Sequence, residues 1–413
     1  MGVKMPSVCL YFKVHQPWRL KSHGFTDTSG RDHHELHDHY FDREGKDKEI
    51  FHRVARKCYY PANDIIKEAM EDFEDRDDDF KVTFSLTGTF IEQCKKFDPG
   101  VLESFRDLVD TGNVEILGET YHHSLASLFE DVGEFENQVK MHRDLIKEVF
   151  GVETEVFSNT EALYNNRIAR VVEDLGFKGI ITEGADRMLG WRSPNYLYRP
   201  PQDVASIPVI TKNYGLSDDI AFRFSARWWD KWPLTADKFA GWLSSIDGDV
   251  INLSMDYETF GEHHWADSGI FSFLRSLPGE VIGQGGLEFK NASEVVDEYE
   301  PMGEIDVFEY DSVSWADMER DDSAWLGNWM QQFLFDELKS LEKYVKKTEN
   351  EHLIEVWRRL LTSDHLYYLC DKGMGDGDVH SYFSAFDSHY EAFRSFLEVL
   401  RDFKQRVRSE VGE

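Results

Sequence analysis

The sequence predicts a parallel α/β barrel followed by a helical C-terminal region. Three observations carry that expectation. Strand-like apolar runs alternate with helix-like segments over the first 300 residues. Most of those runs stop at an ionisable or hydroxyl side chain. Beyond about residue 300 the rhythm changes to long amphipathic helices. A βαβα order builds parallel sheets, whose strands read as continuous apolar runs because helices cover them. In a parallel barrel the strand C-termini gather at one mouth, where active sites form. One polar strand end means little, but five or six imply a shared site.

Taken in order, "SVCLYFKV" (residues 7–14) is a strand and His15 follows it. The segment "IFHRVARKCYYPANDIIKEAMEDF" is helical, interrupted near Pro61. "FKVTFSLTG" is a strand ending at Thr87 and Thr89, and "VLESFRDLVDTG" is a helix closed by Gly112. "NVEILGET" is a strand that ends at Glu119. Helical spacing in 133–151 puts Phe135, Val139, Leu145 and Val149 near one face. "TEVFSNTE" is a strand ending at Glu161, "NRIARVVEDLG" a helix, and "KGIITEG" a strand ending at Glu183. A helix over "TADKFAGWLSSIDG" leads into the strand "DVINLSMDYE", which ends at Asp256. The last hundred residues hold three long amphipathic helical stretches. The acidic stretch around Asp77 is expected to be a solvated turn.

Composition narrows the function. A net charge of −32 repels phosphate and anionic headgroups, so neither nucleic acid nor a membrane surface is an expected partner. A neutral polymer is tolerated. Aromatic residues make up 14% of the chain, with 11 Trp, and indoles can stack on sugar rings. Trp18, Trp191, Trp228, Trp229, Trp232, Trp265 and Trp315 are therefore candidates, of which a minority should touch sugar. Cys9, Cys58, Cys94 and Cys370 are far apart and form no CxxC pair, so reduced structural thiols are expected. The first residues lack a signal-peptide core and no apolar run approaches membrane-spanning length, so a cytoplasmic location is expected.

Glu161 and Asp256 stand at the ends of two strands of the expected barrel. Two carboxylates at one mouth are the minimal equipment for glycoside hydrolysis, one ionised and the other protonated. Two close like charges push their own pKa values apart. Alone, such a pair in an acidic chain is weak support. However, five short stretches, in order, resemble the sequence regions of glycoside hydrolase family 57, in its α-amylase branch: "HQP" (15–17), "GNVEIL" (112–117), "FSNTEALYNN" (157–166), "MDYETFGEH" (255–263) and "TSDHLYYL" (362–369). The resemblance implies a retaining mechanism on α-glucans and an incomplete parallel (β/α)7 barrel followed by a C-terminal helical region. It places the nucleophile at Glu161 and the proton donor at Asp256, with no cofactor. The corresponding division is a catalytic barrel over 1–300 and a helical region over 301–413 that contributes to the active site.

Around this pair, His15, Glu115, Glu258, His263, Trp265 and Asp364 are expected to bind substrate. Glu258 points with Asp256 if the strand continues, and can also hold up the Asp256 pKa. Glu119, His122 and His123 either line the cleft or cap a loop. Asp364 either reaches sugar hydroxyls or pairs with Arg358 or Arg359. Other readings remain open: a 4-α-glucanotransferase on the same scaffold, a metal-dependent polysaccharide deacetylase-like hydrolase, or a non-catalytic glucan-binding protein. The i, i+4 pair His33 and His37, with Glu35 between them, motivates the metal reading, although no HExxH motif is present. The expected partner is an α-glucan, and no metal is expected.

Overall fold

The computed structural model describes residues 6–21, 32–73, 79–372 and 384–412. Nine strands form one sheet: β1 Ser7–Val14, β2 Val82–Leu86, β3 Val114–Ile116, β4 Val156–Ser158, β5 Gly179–Glu183, β6 Leu197–Tyr198, β7 Val209–Lys212, β8 Val250–Asp256 and β9 Glu288–Phe289. Seven run in the order β3-β2-β1-β8-β7-β5-β4, and every neighbouring pair is parallel. β6 lies antiparallel on β7, and β9 adds to β1. Only β6, β7 and β9 have no counterpart in the sequence-based reading. β6 and β9 are two residues long, and β7 lies in a segment that carries no helical period to flank it.

β1, at the centre, is buried at every position, as the continuous apolar run requires. The two edges of the sheet curl until they touch. Gly118, just past β3, donates to Val156 O at 2.9 Å and accepts from Ser158 N at 2.9 Å. These two bonds alone join β3 to β4, so the barrel is incomplete. Glycine is needed at that seam. A Cβ on Gly118 would stand 2.5 Å from the Phe177 ring.

Of four apolar clusters among the described residues, the two largest bear on the site. The larger lies between the sheet and the helices around it, with Phe12, Phe84, Phe105 and Tyr257 in ring contact. The second is built by the C-terminal helices Trp329–Lys347, Glu351–Leu360 and His389–Val411. It also takes in Trp18, Tyr40 and Phe41 from the first loop, and Leu125 and Phe129 from the loop after β3. The C-terminal helices are thereby packed against the loops at the barrel mouth. Leu125 N donates to Leu361 O, Ser363 N to His123 O, and Thr362 Oγ1 to His122 O. Of the acidic stretch around Asp77, residues 74–78 lie outside the described residues.

Candidate active site

A cleft of about 440 Å3 opens at the C-terminal ends of the strands. Lys13 and His15 enter it from β1, Lys212 from β7 and Asp256 from β8, while Glu161 enters from the turn after β4. His123 comes from the loop after β3, and Trp315 and Asp364 from the C-terminal part. Of the strand ends named from the sequence, His15, Glu161 and Asp256 line this cleft, and Thr87, Thr89, Glu119 and Glu183 do not.

Glu161 sits in a tight turn. Asn159 caps it, accepting from Thr160 N and donating to Leu163 O. Glu161 itself adopts the left-handed conformation (φ 55, ψ 25), and Ala162 follows at φ 52. Such strain in non-glycine residues persists only where surrounding bonds over-determine it. Here Ser314 Oγ donates to Glu161 O at 2.8 Å. The carboxylate collects three donors: Trp315 Nε1 at 2.8 Å on Oε2, with Ser363 Oγ at 3.0 Å and His123 Nε2 at 3.1 Å on Oε1. Burial alone would raise its pKa. The hydrogen bond and charge of His123, the charge of Lys13 and the indole bond more than offset that, and the carboxyl is held below its usual range.

Asp256 is the opposite case. Solvent reaches it inside the cleft, but walls of protein surround it. Burial first, and the Glu161 charge second, push its pKa up to about 6. One carboxyl is thus kept ionised and its neighbour protonated in mildly acidic water. Glu258 is pushed further, to about 8, by burial and by the Asp256 charge, and its Oε1 accepts from Tyr59 Oη at 2.5 Å. The strand does not continue past Asp256. Residues Tyr257–Thr259 form a 3-10 turn, and Glu258 lines the cleft from that turn.

His15 bonds Thr87 Oγ1 through Nδ1 at 3.0 Å and Asp364 Oδ2 through Nε2 at 2.9 Å. Burial and the facing His123 lower the His15 pKa, and the Asp364 carboxylate opposes them. Despite burial, the charges and bonds of its neighbours hold the Asp364 carboxyl far below its usual range. Asp364 pairs with neither Arg358 nor Arg359, although the Arg19 charge also acts on it. Arg358 bonds Glu134, while Arg359 bonds Glu92 and Glu355.

His263 lines the cleft, and burial lowers its pKa to about 4. Its neighbours do other work. Glu262 is buried against Arg53 and Lys57, and His264 bonds Ser225 Oγ and Ala221 O. Gly261 (φ +107) lets the loop press on Lys57, whose carbonyl oxygen would lie 1.9 Å from an added Cβ.

Two expected substrate residues stand elsewhere. Glu115 lies at the middle of three-residue β3, level with Thr83 near the start of β2, so it belongs to the far end of the sheet. Its Oε2 accepts from Ser293 N at 2.9 Å, and burial pushes its pKa up to about 7. Trp265 is 60% exposed, lies under the Lys57 ammonium and is not part of the cleft lining. Of the candidate tryptophans only Trp315 lines the cleft, and Trp18 is buried, donating to Glu92. Lys13, Ser363, Lys212, Asp218 and Arg320 escaped the sequence reading. A lysine inside the apolar run "LYFKV" was the available signal, because a strand covered on both faces must pair such a charge.

Among the described residues no three His, Cys, Asp or Glu side chains are grouped so as to hold a metal ion. His33 Nδ1 instead faces Asn350 Nδ2 at 3.0 Å. None of the described helices is long and apolar enough to cross a membrane.

Residues 9–308 match the family model for glycosyl hydrolase family 57. The chain belongs to this family. It is 51% identical over 387 residues to the "Putative alpha-amylase" of Methanocaldococcus jannaschii, covering 92% of this chain and 80% of that one. A second relative, an α-amylase of Pyrococcus furiosus, is 21% identical over 62% of this chain and 37% of that one. Solved structures share the fold. The 4-α-glucanotransferase of Thermococcus litoralis superposes with a TM-score of 0.69 at 14% identity, over 97% of this chain. This family-57 chain spans only 60% of that enzyme's length. The family-57 branching enzyme of Thermococcus kodakaraensis also gives 0.69 at 14% identity, over 98% of this chain and 90% of that one. The incomplete parallel barrel with its C-terminal helices is therefore a family-57 fold, and the chain is a glycoside hydrolase rather than a deacetylase-like enzyme.

Proposed function

We propose that this family-57 chain is a retaining glycoside hydrolase acting on α-1,4-glucans such as starch, glycogen and maltooligosaccharides. Glu161 is the nucleophile and Asp256 the general acid/base. The observation that carries the reading is the contrast between two carboxyls facing one cleft: three donors meet Glu161, while burial and the Glu161 charge push Asp256 up to about 6. In the first step Glu161 Oε attacks the anomeric carbon while Asp256 gives its proton to the departing glycosidic oxygen. In the second step the Asp256 carboxylate takes a proton from water, which displaces Glu161 from the anomeric carbon. His15, His263, Glu258 and Asp364 line the same space and offer donors and acceptors to sugar hydroxyls. Residues 1–300 supply the barrel, and 301–413 complete the site through Trp315, Ser363 and Asp364. A cytoplasmic location accords with the free thiols of Cys9, Cys58 and Cys94, all buried. The relatives' names, an α-amylase and a 4-α-glucanotransferase among them, support an α-glucan as the substrate.

Incubation with maltoheptaose tests this proposal. Shorter products with new reducing ends support hydrolysis. Longer products with no net gain in reducing ends move the assignment to transfer through the same intermediate. No change in either would overturn the proposal, as would products whose anomeric configuration is inverted.

A further inference from the structure

Three buried ionisable groups run in a line behind Glu161. Lys13 Nζ lies 3.3 Å from Glu119 Oε2, and that oxygen lies 3.4 Å from His123 Nδ1. His123 Nε2 in turn lies 3.1 Å from Glu161 Oε1. Lys13, Glu119 and His123 are almost wholly removed from water. Among the described residues Lys13 and His123 are the only cations within ion-pair distance of Glu119. A buried carboxylate left with too little compensation is strongly destabilising. His123 is fixed from several sides. Its own backbone is left-handed (φ 52), its carbonyl accepts from Ser363 N, and its ring lies 4.1 Å from that of His15. The ring thus has a carboxylate at each nitrogen.

We propose that Glu119 is a positioning residue that acts through His123, holding its imidazole as a doubly protonated cation whose Nε2–H is aimed at the nucleophile. This inference rests on the reading of Glu161 as that nucleophile. With both nitrogens protonated, neither carboxylate faces a lone pair: Nε2 hydrogen-bonds Glu161, and Nδ1 stands at ion-pair distance from Glu119 without a hydrogen bond. A neutral tautomer would leave either Glu119 or Glu161 opposite an unprotonated nitrogen. The groups facing His123 are Lys13 and His15 from β1 and its end, Glu119 from its own loop, Glu161, Asp256 and Asp364. His142, on the helix Gly133–Phe150, stands behind Glu119. Burial and Lys13 disfavour the cation, and the two carboxylates more than offset them, so the His123 pKa is raised.

The test reads the ring directly and needs no turnover. In 15N-histidine-labelled protein at pH 7.5, the resonance pair lost in His123→Asn should show both nitrogens protonated. In Glu119→Gln, Lys13 is left facing the ring without its counter-charge. The ring should then lose one proton at that pH, and the acid limb of kcat/KM on maltoheptaose should move up by roughly one pH unit. A neutral His123 ring in the wild-type protein overturns the proposal. So does a Glu119→Gln variant that keeps both the imidazolium and the original acid limb. If Glu119→Gln does not fold, the wild-type spectrum decides alone. If the chain proves inactive on glucans, the spectra still decide the state of His123, so the two readings fail separately.

Discussion

Replacing Glu161 by Gln removes a charge while keeping the shape of the side chain, and its consequences reach Asp256. Two causes lift Asp256 from an ordinary 3.8 to about 6: burial, and then the Glu161 charge. Only the second disappears in the variant. A like charge facing the same solvent-reached cleft is worth on the order of 1 kcal/mol. That corresponds to roughly one pKa unit at most, so Asp256 should titrate lower by up to that amount in Glu161→Gln. Turnover should fall by roughly four orders of magnitude or more with the fold intact. The assay is carbon NMR of the aspartate carboxyls against pH, with the Asp256 signal assigned by its loss in Asp256→Asn. Calorimetry on the same samples checks folding. An Asp256 pKa that stays near 6, or rises, in a folded Glu161→Gln protein would refute the electrostatic coupling argued here. Near-normal turnover by that variant would refute the role of Glu161.

The coupling also sets a pH profile. Asp256 must carry its proton for the first step, so kcat/KM should fall as pH rises through about 6, and that limb should vanish for substrates whose leaving group needs no proton. Asp364→Ala should lower kcat/KM by one to two orders of magnitude, from a charge-assisted bond worth roughly 1.5–3 kcal/mol, with little change in Tm. A large drop in Tm with activity intact would return Asp364 to a structural role. Glu115→Gln should leave kcat/KM on maltoheptaose unchanged and should stabilise the fold. The sign follows from its raised folded-state pKa of about 7 against 4.5 when unfolded. Stability from the protonated carboxyl is present below pH 4.5 and lost by pH 7, so the variant's gain in Tm should appear across that window. It should reach the order of 3 kcal/mol above pH 7. Exhaustive chelation should leave the rate unchanged, and activity lost on chelation and restored by zinc would contradict the mechanism.

The fold was legible wherever a segment repeated one period long enough. β1 and β8 are mostly apolar runs long enough to read as strands, and the residues at their ends, His15 and Asp256, are in the cleft. Glu115 went wrong for a geometric reason. In a three-residue strand the interval between the buried far end and the mouth is only three or four residues. Glu115 and Glu119, four apart, therefore belong to opposite ends of the sheet. Trp265 lies outside the cleft lining, because a position in a run of site residues says nothing about which way the loop turns after Gly261. Lys13 and Ser363 could be interpreted only once their partners, more than a hundred residues away, were known.

The environment of the nucleophile is closed by Ser314, Trp315 and Ser363, and Asp364 holds His15 from the same part of the chain. Both reacting carboxylates, by contrast, lie before residue 257. During synthesis the chain therefore acquires its acid and its nucleophile long before it acquires the donors that keep the nucleophile ionised. A nascent or truncated polypeptide holding only the barrel carries the reacting groups without their tuning. A chain that stops at the barrel would therefore lack every bond that Ser314, Trp315, Ser363 and Asp364 make to Glu161 and His15.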